Sequence, residues 1–315
     1  MRIVALGVHV VDVLVRPVEQ IPEGQGGALV EQIRITPAGS AGGTAITLAK
    51  LGAAVQSAGA IGDDELGDVL LTLLRPFGVD TSLLVRRSGV QTSASVLPIR
   101  EDGSRPAFHV VGANGTYSSA DAPWDEIARA GYLHFGAPEF MGGEEAAKIL
   151  SFARERGVVT SADILAPGKQ AAQISDWIGP AFEHIDYLLP NEEQVLGLSG
   201  EDDLERGCEV LLERGVGCLA ATCGAEGAIV MDRESSERVP AFDTEVVDTT
   251  GCGDAFSAGF LSGLGLGRSR RGAAVLGCAA AGLVAQGLGS DHGDFDLAAA
   301  DEFAAETPTI QETDS

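Results

Sequence analysis

Lysine is nearly absent. Lys50, Lys148 and Lys169 are the only three in 315 residues, and the other basic residues are arginines. Basic residues total 21 against 46 acidic ones, a formal net charge of −25. Such a surface repels polyanions, which argues against nucleic acid and anionic membranes as partners. A high-salt cytoplasm or a GC-rich genome would each account for the bias. The charge says nothing about an anionic substrate, whose site must be locally positive. Long apolar runs are also missing, and none reaches the length of a membrane-spanning helix. Met1-Arg2-Ile3-Val4-Ala5-Leu6-Gly7 is too short for a signal peptide and reads as a first strand. Cysteine is scarce and odd in number: Cys208, Cys218, Cys223, Cys252 and Cys278. They lack metal-ligand spacing, so a reduced, cytoplasmic protein is expected rather than a disulfide framework. There is no internal repeat.

What the chain does have is hydrophobic residues, at 45%, and 42 glycines. Short apolar runs alternate with helical patterns, which fits one large or two smaller α/β domains. One stretch concentrates the chemistry: Asp248-Thr249-Thr250-Gly251-Cys252-Gly253-Asp254. A β-like run, Glu245-Val246-Val247, precedes it, and a buried helix carrying Phe256, Phe260 and Leu264 follows. Small residues at 251–253 let backbone N–H groups approach a ligand closely. The helix N-terminus adds unpaired donors and partial positive charge, which suits an anion. Asp254 has two readings at this level. It is a base that takes a proton from a hydroxyl while those donors stabilise a transferring phosphoryl group. Or it is a helix-capping Asp after a glycine turn.

That stretch resembles the C-terminal signature of the ribokinase-like, or PfkB, carbohydrate kinases, D-T-x-G-A-G-D, with Cys252 in place of the usual Ala. The resemblance implies an α/β fold: a mostly parallel central sheet with helices on both faces, plus a small β-sheet lid. It implies ATP-dependent phosphorylation, with Mg2+, of a primary hydroxyl on a sugar or sugar-like substrate. Asp254 would be the general base, and the backbone of Gly251, Cys252 and Gly253 the anion hole. Other segments match the family in order along nearly the whole chain.

Asp12, after the first strand, stands where the family holds sugar hydroxyls; a strand-end turn Asp is the plain alternative. The loop Ala38-Gly39-Ser40-Ala41-Gly42-Gly43 runs into a helix ending at Gly52 and matches the first family signature. Gly39, Ser40 and Gly43 are then substrate-loop residues, with Gly43 where the family usually has Asn. The loop is neither a P-loop nor a dinucleotide fingerprint. Asp64 reads as a helix cap. Asn114 is a candidate polar contact at the pocket mouth. Leu165 stands where an Asn is usual. Asn191, with Glu193 and Gln194, resembles the N-x-x-E motif that organises Mg2+ through water, with Gln194 replacing the Glu; local residues alone also read as a helix start. Thr222, Gly224 and Gly227 match the nucleotide loop T-x-G-x-x-G, and the Ala-rich helix from Arg271 would wall the adenine. Asp248, Thr250 and Ser290 lie where some relatives bind a monovalent cation such as K+.

The expected domains are 1–11, 37–91 and 112–305 as the large α/β unit, and 12–36 with 92–111 as the lid. Strands are expected at 11–15 and 29–35, and at 92–99 and 107–111. Residues 306–315 are expected to be a disordered tail. The resemblance makes a homodimer through the lid an expectation. Three other readings stay open. A nucleoside kinase would need a slot for a base, with Phe108 and Tyr117 as candidates. A sugar-acid kinase would need a cation in the pocket, for which Arg105 is the lid candidate. A catalytically weak binding protein would explain Gly43, Leu165 and Gln194.

Overall fold

The computed structural model describes residues 1–101, 103–165 and 170–310. In chain order the strands are β1 (Arg2–Gly7), β2 (Val10–Arg16), β3 (Gln32–Ala38), β4 (Ala54–Gly62), β5 (Asp80–Arg87), β6 (Ala94–Pro98), β7 (Phe108–Val110), β8 (Tyr132–Gly136), β9 (Val159–Asp163), β10 (Tyr187–Leu188), β11 (Cys218–Thr222), β12 (Ala228–Met231) and β13 (Ser236–Val239). The helices are α1 (Ser40–Lys50), α2 (Glu65–Leu74), α3 (Trp124–Arg129), α4 (Gly143–Glu155), α5 (Ala171–Ile178), α6 (Glu192–Ser199), α7 (Leu204–Glu213), α8 (Cys252–Gly265), α9 (Arg270–Ala285) and α10 (Leu297–Glu306).

The large sheet runs β13-β12-β11-β10-β9-β8-β1-β4-β5. It is parallel from β11 to β5, and β12 and β13 add an antiparallel edge. Strand β1 sits in its interior and is apolar throughout its centre because both faces are covered. Ile3 and Ala5 pack with Leu48 of α1 and with Phe256 and Phe260 of α8. Val4 and Leu6 point the other way, into a core shared with Phe135, Ile149 and Leu150. The period of two along one strand therefore builds two helix layers.

The second sheet, β3-β2-β6-β7, crosses over the carboxyl end of the first. Its cross-strand pairs sort its residues by face. Thr36, Asp12, Ser95 and His109 form one row; Ile35, Val13, Val96 and Phe108 form the next. Neighbouring rows point to opposite faces. The polar row turns inward: Thr36, Asp12 and Ser95 are buried. The apolar row turns outward, leaving Ile35, Val96 and Phe108 exposed.

Three local expectations are corrected. The run 245–247 forms no strand; the N–H groups of Val247 and Asp248 both reach the carbonyl of Ala285, at 2.8 and 3.3 Å. The end of α9 captures them before a strand partner can. Strand β3 starts at Gln32 rather than residue 29, because its partner β2 ends at Arg16 and Pro17 has no N–H to donate. Residues 306–310 are not a loose tail. Thr309 bridges Phe242, and the Ile310 N–H donates to the Ala241 carbonyl at 3.0 Å. The rest of the expected tail, 311–315, lies outside the described residues. Among the described residues no helix is long and apolar enough to cross a membrane.

Candidate active site

Helix α8 begins at Gly251, whose φ of 81° suits glycine and lets the chain turn sharply into the helix. A Cβ there would stand 2.4 Å from Ser290 Cα, so the turn is pressed against the segment around residue 290. The turn separates two cavities. Gly251 and Asp254 line the first, about 920 Å3, between the two sheets. Cys252 and Gly253 line the second, about 410 Å3.

The first cavity holds the acidic groups. Asp12 enters from β2 and is 7% exposed, with Oδ1 lacking a partner. Burial pushes its carboxyl up to about 6, against the Ser95 hydrogen bond and the Arg105 charge. Beside it, Ser95 Oγ lies 2.9 Å from His109 Nδ1. Gly39 and Ser40 line the same wall, and the Ser40 hydroxyl is buried without a partner. Asp254 is held well above the usual carboxylate range by burial, then by Asp163 and Asp12, with Arg105 opposing. Arg105 reaches in from the loop after β6 and sets its Nε 3.9 Å from Asp248 Oδ1. It is the one Lys or Arg among the described residues lining this cavity.

Two acids were not singled out from sequence. Glu139 lines the cavity; its Oε1 accepts the Leu165 N–H at 3.1 Å and its Oε2 is buried without a partner. Burial raises its pKa well above the ordinary value. Asp163, at the end of β9, is buried and pushed up to about 7 for the same reason. Their signal is position, since both follow carboxyl ends of parallel strands, where α/β sheets bind ligands. Leu165 also lines the cavity.

Several expected site residues have other work. Gly43 does not line the cavity: its N–H is spent on the Gly39 carbonyl at 2.7 Å. Instead it makes room for Asp254, since a Cβ at 43 would lie 2.2 Å from Asp254 Oδ2. Asn114 is turned away from the pocket. Its amide donates to the His9 carbonyl at 2.9 Å and accepts the His9 N–H at 3.2 Å, fixing the chain between β1 and β2. Asn191 and Gln194 line the cavity but form a reciprocal cap on α6. Asn191 Oδ1 accepts the Gln194 N–H at 2.8 Å, and Gln194 Oε1 accepts the Asn191 N–H at 2.7 Å. That cap accounts for a Gln at 194. Glu193 also faces the cavity.

Asp248, Thr250 and Ser290 do come together. Asp248 Oδ1 accepts the Thr250 N–H and hydroxyl at 3.0 and 2.8 Å, and Oδ2 accepts the Gly289 N–H at 3.0 Å. Protein donors thus occupy both carboxylate oxygens. Asp64 caps α2 by accepting the Gly67 N–H at 2.9 Å.

The second cavity is a mostly apolar slot. Thr222, Gly224 and Gly227 line one end, and Phe256, Cys278 and Ala281 its walls. Its shape and apolar lining have room for a flat ring. Cys252 is no reactive thiol, because burial pushes its pKa up to about 12. Among the described residues no group of three or more His, Cys, Asp or Glu could hold a metal.

The sequence profile described as pfkB family carbohydrate kinase matches residues 2–294. The chain belongs to this family. It is an ATP-dependent sugar phosphotransferase of the ribokinase-like fold. The kinase is 28% identical over 236 residues to fructokinase-1 of Oryza sativa, covering 71% of this chain and 72% of that one. It is 31% identical over 251 residues to an ATP-dependent ribose-1-phosphate kinase of Halopiger xanaduensis, covering 80% of each. In structure it resembles Arabidopsis thaliana ribokinase complexed with ribose and ATP, with a TM-score of 0.83 and 20% identity over 96% of this chain and 98% of that one.

One acid gives a stability prediction for the kinase. With its folded pKa near 7, Asp163 favours folding most below the unfolded value. That contribution is lost as pH rises through about 7. The full displacement corresponds to about 4 kcal/mol, of which about 3 titrates between pH 5 and pH 8. Asp163→Asn should therefore gain stability over the parent by about that amount on going from pH 5 to pH 8. Urea unfolding of both proteins at the two pH values checks this; a difference that ignores pH contradicts it.

Proposed function

We propose that the kinase transfers the ATP γ-phosphoryl group to a hydroxyl of a sugar-like substrate bound in the first cavity. The observation that carries this reading is the turn at 251–254, which faces both cavities and turns Asp254 toward the first. Asp254 takes the proton from the acceptor oxygen. The N–H groups at the start of α8 receive charge on the transferring group. Mg2+, when bound with ATP, neutralises phosphate charge. Asp12, Ser40 and Glu139 all line this pocket, and each has a side-chain oxygen without a protein partner; three such groups suit a polyol. A monovalent cation near Asp248, Thr250 and Ser290 would be held chiefly by backbone oxygens, since both Asp248 carboxylate oxygens already accept protein hydrogen bonds.

The nucleoside reading loses its candidates. Phe108 lies on the outer face of the second sheet, and Tyr117 is buried in the main core. A second reading is favoured by Arg105: a sugar bearing a carboxylate or phosphate would find its counter-charge there. ADP release with a neutral hexose, a pentose, a sugar acid, a sugar phosphate and a nucleoside separates these readings, with Arg105→Gln alongside. If the substrate is acidic, Arg105→Gln raises KM for it about tenfold or more. If it is neutral, KM changes little. Turnover of the nucleoside alone would sink the sugar reading.

The second sheet is read as a lid over this cavity, and its outer face as the contact with a second copy. Exposed Ile35, Val96 and Phe108 lie in one row, an arrangement that a sheet-on-sheet partner would cover. Phe108→Glu combined with Ile35→Glu should convert a dimer to a monomer in sedimentation velocity. A parent that is already monomeric at micromolar concentration contradicts this reading.

A further inference from the structure

Behind the catalytic turn runs the segment 288–294. It sets the turn in two ways. The Gly289 N–H donates to Asp248 Oδ2 at 3.0 Å, and the Ser290 backbone fills the space a side chain at Gly251 would need. The segment is itself held from its far side. Asp291 Oδ1 accepts from Arg34 Nη2 at 2.8 Å and from the Thr36 hydroxyl at 2.7 Å. Arg34 Nη1 also donates to the Leu288 carbonyl. From α1, Lys50 Nζ donates to the carbonyls of Asp291 and His292 at 2.9 and 2.7 Å. The same ammonium lies over the rings of Phe77 and Phe295, 5.4 and 4.7 Å from their centroids. In a chain with three lysines, one is committed to this segment.

Thr36 and Arg34 belong to β3, and Thr36 is paired across the sheet with Asp12. One carboxylate oxygen, Asp291 Oδ1, therefore joins the strand beside the substrate carboxylate to the segment that shapes the phosphate turn. The route is short: Asp12 strand, Thr36, Asp291, Gly289 and Ser290, then Asp248 and Gly251. Phosphoryl transfer depends on the distance between an acceptor held by the second sheet and donors held by α8. A second polar link, Arg105 Nε to Asp248 Oδ1 at 3.9 Å, is longer and comes from the loop after β6 rather than from a strand.

We infer that Asp291 is a positioning residue for phosphoryl transfer, clamping the second sheet to the catalytic turn through Thr36 and Arg34. It touches neither substrate nor nucleotide, and it lines neither cavity. The inference rests on the kinase reading of the site. A slackened clamp lets the acceptor and the turn drift apart, and misplacement of about 1 Å costs on the order of 10²-fold in rate. Nucleotide affinity should be spared, because the walls of the second cavity lie on other segments.

The test is steady-state kinetics of the parent, Asp291→Asn, Thr36→Val and the double variant, with melting temperatures measured alongside. The expected result is a fall in kcat of about tenfold or more in each single variant. KM for ATP should stay within about twofold, and the double variant should be little worse than the weaker single, because both break one link. Melting temperatures that fall while kcat holds would assign Asp291 a merely structural role and overturn the inference. Strictly additive losses would also overturn it. If Asp291→Asn does not fold, Thr36→Val alone decides: reduced kcat supports the clamp and unchanged kcat refutes it. A parent that phosphorylates no acceptor would fail the proposed function itself. A parent that turns over with indifferent variants would fail only the clamp.

Discussion

Replacing Asp254 with Asn is expected to lower kcat by about 10²–10⁴-fold, as removal of a general base does. The change is nearly isosteric, and Asp254 faces the acceptor cavity rather than the nucleotide slot. KM for ATP should therefore stay within a few-fold. The pH profile carries a second signature. A base must be ionised to act, and Asp254 is held above the ordinary carboxylate range by burial and by Asp163 and Asp12. Activity should rise with pH through that elevated pKa. Arg105 opposes the elevation, so Arg105→Gln should move the acid limb to higher pH. An Asp254→Asn enzyme with parental kcat, or an acid limb that Arg105 does not influence, would remove Asp254 from the role of base.

The second large effect is expected at Gly43. Glycine inside a helix normally costs about 1 kcal/mol relative to alanine, so Gly43→Ala would ordinarily be stabilising or neutral. Here the new Cβ would fall 2.2 Å from Asp254 Oδ2 and 2.8 Å from its Cγ. The contact is with a side chain that can rotate, so the fold should survive while the carboxylate leaves its place. Gly43→Ala should thus keep a melting temperature near the parent's and lose about 10²-fold in kcat. Loss of folding, or full activity, would each contradict the packing described.

Parts of this site were legible in the sequence because their chemistry is local. The run 248–254 carries its own turn, donors and carboxylate, so its meaning survives without a fold. The alternation at 11–15, 92–99 and 107–111 announced a second sheet, since a pleat with two different faces has period two. What the alternation does not give is parity. Phe108 and His109 are neighbours, and only the strand pairing says that His109 faces the cavity and Phe108 the solvent. A slip of one residue would have exchanged them. That is why Phe108 was a plausible base-stacking residue in sequence and is not one in structure.

Other misreadings have the same origin, residue type without direction. Asn114 has the right chemistry for a sugar hydroxyl, but the His9 backbone takes both ends of its amide. Gln194 does line the cavity, and what its residue type leaves out is that the same side chain caps α6 through Asn191. Arg105 and Asp248 lie 143 positions apart in the chain, and only tertiary structure brings them within 3.9 Å. Glu139 belongs to no contiguous motif, and Asp163 stands at the strand end two residues before Leu165. Burial gives them their raised pKa values, and burial is a property of the fold.

The most direct test of the account is acceptor-dependent ADP formation from Mg-ATP by the parent and by Asp254→Asn, with the product followed by 31P NMR. The account predicts that a sugar or acidic sugar stimulates ADP formation, that a phosphomonoester appears in step with it, and that Asp254→Asn abolishes both. ADP formation that no acceptor stimulates, or a phosphorylated product made equally well by the variant, would contradict it.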